Sequence, residues 1–190
     1  MERDPSEVSL IFGAFTRPDA SEAIAAVQTG LLGRRAWQAW LLEWHETGWQ
    51  AVRPIASNCT GRVEQARLDR NGPATLLVRD SCPRFGRDEG QVRLIALGPT
   101  DDKVLFAANE WSGGPAGGGV RHSVWLTGFD ANGQAEVVDL TFTERPRAGG
   151  GKPVVITSSV TTYRGATEGL VAVVPTQADA SERVAVLPLW

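Results

Sequence analysis

Short apolar runs alternate with turn sequences along this chain. The runs at about 91–98 and 152–163 are rich in Val, Ile and Thr, which favour β-strands. Other apolar runs flank Asp-Arg-Asn-Gly at 69–72 and Asp-Ala-Asn-Gly at 130–133. Asn-Gly tolerates the positive φ angle that a tight hairpin turn requires. The pattern therefore predicts antiparallel strands joined by hairpins.

The same pattern occurs three times. In each copy a large apolar residue, which we call the anchor, starts a turn segment that ends seven positions later in Glu or Thr. The anchors are Phe15, Leu68 and Phe129, and they lie 53 and 61 residues apart. Each copy predicts a four-stranded antiparallel meander, so the fold class is mainly β. The three repeats form a single domain and cover about 8–57, 61–112 and 120–190.

The third strand of each repeat is expected at a constant distance from the anchor. Leu41, Leu94 and Val155 each stand twenty-six positions after it, inside apolar runs. In the first repeat, however, apolar residues also recur at helical spacing, so an α+β fold with helices within 21–46 is an alternative. Strands are favoured because the equivalent runs of the other repeats are poor helix formers. A final strand is expected at 183–190.

Four tryptophans crowd the first repeat: Trp37, Trp40, Trp44 and Trp49. On a strand, Trp40 and Trp44 face the side opposite to Trp37 and Leu41, because side chains alternate. Packing between neighbouring sheets is the favoured role for these indoles. An exposed indole would instead offer a platform for a sugar ring or a protein partner.

The repeats resemble those of FG-GAP and VCBS β-propellers, in which an apolar strand leads into an Asp-rich turn and a second strand begins with Glu or Asp. The resemblance implies a propeller-like arrangement of the three units. Propellers close with four to eight blades, so two chains completing a six-bladed ring as a homodimer, a truncated piece of a longer propeller, and a three-sheet β-prism are the alternatives. The residues that carry the resemblance are Phe129, Asp130, Asn132, Gly133 and Glu136, then Leu68, Asp69, Asn71 and Gly72, and more faintly Phe15 and Glu22.

The same resemblance implies calcium as a possible cofactor, since turns of this family often bind it through Asp and Asn oxygens. In the third repeat the matching residues are Asp130, Asn132 and Glu136, while Gly128 stands where the family has its first acid. Calcium prefers six to eight oxygen ligands, so this set is small. The alternative is that Asp and Asn bond to their own backbone and stabilise the hairpin.

The composition argues against several classes of partner and activity. The chain has 19 Lys and Arg against 22 Asp and Glu, with no basic cluster, which argues against nucleic acid. No run approaches the 18 apolar residues of a membrane helix, so no membrane insertion is expected. A Gly-x-Ser-x-Gly elbow is also absent from the sequence.

The predicted function is that of a non-catalytic binding or scaffold module for protein or carbohydrate. If the units are blade-like, the ligand-binding surface is expected on loops near Trp111, Arg121, Asp130 and Asn132. The alternative is a secreted hydrolase or lyase that acts on polysaccharide.

The two cysteines, Cys59 and Cys82, flank the second hairpin. They are expected nearly opposite one another on paired strands, which is the geometry of a disulfide; free buried thiols are the alternative. A disulfide favours export to the periplasm or the cell exterior after removal of a signal peptide. Without one, the cytoplasm is the expected location.

Overall fold

The computed structural model describes residues 8–31, 34–55, 60–84, 87–113, 119–147, 154–166 and 169–173. The strand expected at 183–190 lies outside the described residues. Within the described ranges the chain forms thirteen β-strands and no helix. They are β1 (Val8–Gly13), β2 (Glu22–Leu31), β3 (Arg34–His45), β4 (Gly48–Ile55), β5 (Thr60–Ala66), β6 (Thr75–Arg84), β7 (Arg87–Leu97), β8 (Asp102–Asn109), β9 (Trp111–Gly113), β10 (Gly119–Leu126), β11 (Val137–Arg145), β12 (Val154–Ala166) and β13 (Gly169–Val173).

The strands form three antiparallel sheets, each a simple meander. Sheet I contains β1 to β4, sheet II contains β5 to β8, and sheet III contains β10 to β13 with the three-residue β9 at its edge. Within each sheet, every strand pairs with the strands that precede and follow it in sequence, as short antiparallel connections permit. The prediction of a mainly β fold with three four-stranded antiparallel units is confirmed, and β9 is an addition to it.

The helical alternative for residues 21–46 is wrong. β2 and β3 occupy this segment and pair with Ile24 opposite Leu41. Both residues are buried, whereas Trp44 on the other side of β3 is 55% exposed. The apolar residues that suggested a helix are thus divided between the two faces of a sheet. Side chains alternate between faces along a strand, whereas on a helix these residues would share one face.

The third repeat differs from the other two in its central hairpin. Ile24 lies opposite Leu41 in sheet I, but its equivalent in sheet III, Val138, lies opposite Thr162. The repeat spacing predicted that Val155, the equivalent of Leu41, would lie opposite Val138, but Thr162 occupies that position. The cause is a longer connection between β11 and β12, together with a β-bulge between Thr143 and Glu144.

The sheets stack in chain order, with sheet II between the other two. We call the side of a sheet that is turned toward the next sheet its forward face, and the opposite side its rear face. The forward face of sheet I packs on the rear face of sheet II in a first apolar core. Its buried members are Phe15, Ile24, Ala39, Leu41 and Ile55 from the first repeat, and Ala74, Leu76, Val78, Ile95 and Leu97 from the second.

A second core joins the forward face of sheet II to the rear face of sheet III. Leu76 and Leu77 are adjacent in β6 but belong to different cores, so sheet II is buried on both sides. Two-sided burial explains why β6 carries an unbroken apolar run rather than an alternating one. The second core contains Ala66, Leu77, Val92, Leu94, Phe106, Val124 and Val137, with Leu68, Leu126, Tyr163 and Leu170 packed against it.

The anchor turns of successive repeats are bonded to one another. The amide of Ala74 donates to the carbonyl of Ala14 at 2.7 Å, and the amide of Ala135 donates to the carbonyl of Leu68 at 2.8 Å. A side-chain link also joins sheets I and II, because Arg53 pairs with Asp102 at 2.5 Å. These bonds hold the three units together in addition to the apolar cores.

Candidate functional site

The turn of the third repeat is closed by Asp130. Its Oδ1 accepts hydrogen bonds from the amides of Asn132 at 2.8 Å and Gln134 at 2.9 Å. Gly133 follows with φ of 78°, a left-handed conformation that favours glycine. The amide of Gln134, and then that of Asn132, lowers the pKa of Asp130 below its ordinary value. This arrangement is the backbone-bonded hairpin turn that was the alternative to calcium binding.

The second repeat also closes its turn with an aspartate, but Gly72 lacks the positive φ that was expected for its Asn-Gly pair. Oδ1 of Asp69 accepts the amide of Asn71 at 2.8 Å, and Oδ2 accepts Nε2 of Gln134 at 2.9 Å. The bond from Asn71, followed by the one from Gln134, lowers the pKa of Asp69. Arg67 adds a bond from Nη1 to the carbonyl of Gly72 at 3.2 Å. The guanidinium of Arg67 therefore stabilises this turn directly.

In the first repeat the turn is closed by Glu22, the acidic residue at the start of β2. Glu22 is buried, with Oε2 accepting the amides of Phe15 at 2.6 Å and Thr16 at 2.9 Å, while Oε1 accepts the Thr16 hydroxyl at 2.5 Å. The equivalent Glu136 in the third repeat pairs with Arg164. In the described residues, no three His, Cys, Asp or Glu side chains are grouped so that they could hold a metal ion. Calcium binding at Asp130, Asn132 and Glu136 stays a prediction.

The four residues expected to form a ligand-binding loop surface lie in two separate places. Trp111 pairs with Arg121 where β9 meets β10. Asp130 and Asn132 lie beyond the other end of β10, and the six residues from Arg121 to Leu126, five steps along the strand, alone span about 17 Å. The structure thus brings together Trp111 with Arg121, and Asp130 with Asn132, but not the two pairs.

Sequence reasoning missed a polar group between sheets II and III. Nδ1 of His122 lies 3.0 Å from both carboxylate oxygens of Asp139, which is 4% exposed. Burial, and then the charge of Asp139, raises the pKa of the neighbouring Tyr163. The sequence does contain an indication, because Asp139 interrupts the apolar run from Val137 to Leu140.

This group does not have the order of a hydrolytic triad. In a triad the acid and the nucleophile contact different nitrogens of the imidazole. Here the hydroxyl of Thr141 lies 3.4 Å from Nδ1 of His122, the same atom that faces Asp139. The hydrogen bonds satisfy a buried carboxylate between two packed sheets. The arrangement is therefore suited to packing rather than to activating a hydroxyl.

The rear face of sheet I carries a row of exposed apolar side chains, and no other sheet of the described residues packs on it. Val8, Leu10 and Phe12 on β1 are 57%, 52% and 58% exposed. On the other edge of the same face, Trp44 and Trp49 are 55% and 41% exposed, so these two indoles do not pack between sheets. Ring centroids are 5.6 Å apart for Phe12 and Trp49, and 5.4 Å apart for the two tryptophans. We call these five residues the aromatic face.

The forward face of sheet III, at the other end of the stack, is apolar and has no partner sheet among the described residues, although Val138 and Leu140 on its central strand are buried. Val160 and Val171 are 43% and 59% exposed, and the third anchor, Phe129, is 38% exposed at the turn. Arg121 on this face pairs with Glu144 at 3.1 Å and lies over the ring of Phe142 at 5.2 Å. Its charged side chains therefore have partners within the face.

The predicted disulfide falls only partly on described residues. Cys82 lies in β6, and Cys59 lies outside the described residues. Their chain neighbours Thr60 and Ser81 are paired across β5 and β6. The disulfide stays a prediction.

Comparison of the chain with models of protein families, with curated proteins and with solved structures found no match in any of the three. The described residues also include no helix long and apolar enough to cross a membrane.

Proposed function

We propose that the protein is a non-catalytic scaffold module of propeller-like repeats that binds another polypeptide through the uncovered ends of its stack. The observation that carries this proposal is the aromatic face on sheet I. Its five side chains are each at least 41% exposed. Together they present on the order of 500 Å² of apolar surface, which is the size of the largest apolar patch on a typical soluble protein, and such a patch is often functional.

The chemistry of this face favours a protein partner. Aromatic side chains are enriched at the centres of protein interfaces because they bury much area at little entropic cost. The rings of Phe12 and Trp49 are tilted by 54° and those of Trp44 and Trp49 by 70°. They form an uneven cluster that suits interdigitating side chains better than a flat sugar ring.

Photo-crosslinking at defined positions tests this proposal. A benzophenone amino acid is placed at Leu10 on the aromatic face, and a control chain carries it at Val104, which is 51% exposed on β8 of sheet II. We expect one discrete protein adduct from position 10, identified by mass spectrometry and reduced by excess unmodified chain. Equal labelling from both positions, or none from position 10, would count against the proposal.

Carbohydrate binding is the second candidate, and the exposed indole of Trp44 is the observation that favours it. A glycan array and a panel of chromogenic glycosides separate the possibilities. Binding without turnover that is lost in Trp44→Ala supports a lectin-like role. Turnover would support the alternative of a polysaccharide hydrolase or lyase.

A further inference from the structure

Equivalent residues of the three repeats show what covers the rear face of each sheet. Leu10, Val63 and Val124 each stand five positions before an anchor, and all three point to the rear. Val63 packs against the first core and Val124 is 2% exposed in the second, because a forward face lies on each of them. Leu10 is 52% exposed because no sheet precedes it in the described structure. The rear faces of sheets II and III thus each pack on the forward face of the preceding sheet, and the rear face of sheet I is the equivalent surface.

The anchors show the same relation for the forward faces: an anchor is buried where another sheet follows and exposed in sheet III. Phe15 is fully buried against sheet II, and Leu68 packs into the core shared with sheet III. The third anchor, Phe129, is 38% exposed. Among the described residues, the forward face of sheet III and the rear face of sheet I are therefore the two faces without a partner sheet, and the chain joins such faces twice within itself.

We infer that a second copy of this chain docks head to tail, with the forward face of sheet III of each copy on the rear face of sheet I of the other. This inference rests on the proposed function and names the polypeptide bound. Two copies give six sheets, and six is the only multiple of three within the usual propeller range of four to eight. The arrangement places two identical contacts around one two-fold axis and covers both of the unpartnered faces that the described residues show.

The surface available is sufficient for such an assembly. The aromatic face presents on the order of 500 Å² of apolar area, and Val160, Val171 and Phe129 present on the order of 250 Å² on the forward face of sheet III. The four faces of a closed pair therefore hold roughly 1,500 Å², which lies within the range of a standard stable interface. The charged groups on the forward face do not oppose docking, since Arg121 and Arg164 already pair with Glu144 and Glu136.

Sedimentation equilibrium of the 190-residue chain provides the first test. We expect twice the 20.4 kDa mass of one chain. Leu10→Arg on the rear face of sheet I and Val160→Glu on the forward face of sheet III each place a charge in both contacts, and each should weaken dimerisation roughly 100-fold. Val104→Glu replaces an equally exposed residue of sheet II and should leave the dimer intact. Circular dichroism establishes that the variants are folded.

Mixing the two variants tests the head-to-tail geometry. In an equimolar mixture of Leu10→Arg and Val160→Glu, one contact is free of both substitutions and the other sets Arg against Glu. We expect the dimer mass to return. A dimer that survives Val160→Glu alone, or a mixture that stays monomeric, overturns the head-to-tail arrangement. A wild-type monomer at every concentration overturns the inference altogether, yet a crosslink from position 10 to a different protein would still support the proposed function.

Discussion

Replacing Glu22 tests whether its buried carboxylate closes the first anchor turn. Glu22 is 2% exposed and accepts the amides of Phe15 and Thr16. A hydrogen bond to a charged group contributes about 1.5–3 kcal/mol, whereas a neutral one contributes about 1 kcal/mol. Glu22→Gln keeps an acceptor for both amides but loses the charge, so we expect a loss of about 2 kcal/mol in the free energy of unfolding. Glu22→Ala leaves both amides without an acceptor and should cost about 4 kcal/mol.

Urea unfolding followed by fluorescence of the seven tryptophans measures these changes. All chains are compared at one protein concentration, because self-association would add to the apparent stability. Glu64→Gln is the matched control. Glu64 is a β5 carboxylate whose side chain is 37% exposed and pairs with the exposed Arg62, and its loss should change stability by less than about 0.5 kcal/mol. If Glu22→Ala were no more destabilising than Glu64→Gln, the buried carboxylate would not be what holds the turn.

Three further predictions concern the turns and the cysteines. Hydrogen bonds lower the pKa of Asp130 in the folded chain, so its stabilising effect is present above the unfolded pKa and is lost as the pH falls through the folded pKa. The melting temperatures of wild type and Asp130→Asn should therefore differ at pH 7, and the difference should shrink as the pH falls below the ordinary range of carboxyl groups. If Asp130, Asn132 and Glu136 bind calcium, millimolar calcium should raise the melting temperature of wild type but not of Glu136→Gln, and no rise in wild type would reject the site. A disulfide between Cys59 and Cys82 leaves no free thiol under denaturing, non-reducing conditions; two free thiols would remove the main support for export.

The repeats could be predicted because their information is local. Asn-Gly turns, strand-forming residues and the constant spacing of anchors such as Leu68 specify hairpins from neighbouring residues alone. The position of Thr162 opposite Val138 could not be predicted in this way, since it depends on the length of one connection and on a bulge. Neither could the contact of His122 with Asp139, which requires the register of β10 on β11.

The candidate site was predicted less well than the fold, for a physical reason. Loops near Trp111 and Asp130 were expected to converge, but the length of β10 separates them. Exposure of Leu10 or Trp44 depends on whether another sheet covers their face, and nothing within the first repeat specifies this. Apolar residues that face solvent have the same sequence pattern as those of a core.

The hydrogen bonds between successive turns affect how many sheets an assembly of this kind can contain. The bonds from Ala74 to Ala14 and from Ala135 to Leu68 set the spacing of adjacent sheets along one edge, while the apolar cores set it in the interior. Together the two spacings define a wedge angle, which averages about 60° in a six-sheet ring. An insertion in one turn would alter that angle without touching a core residue. In the proposed ring, a change of turn length would therefore alter the symmetry while the sheets themselves stay unchanged.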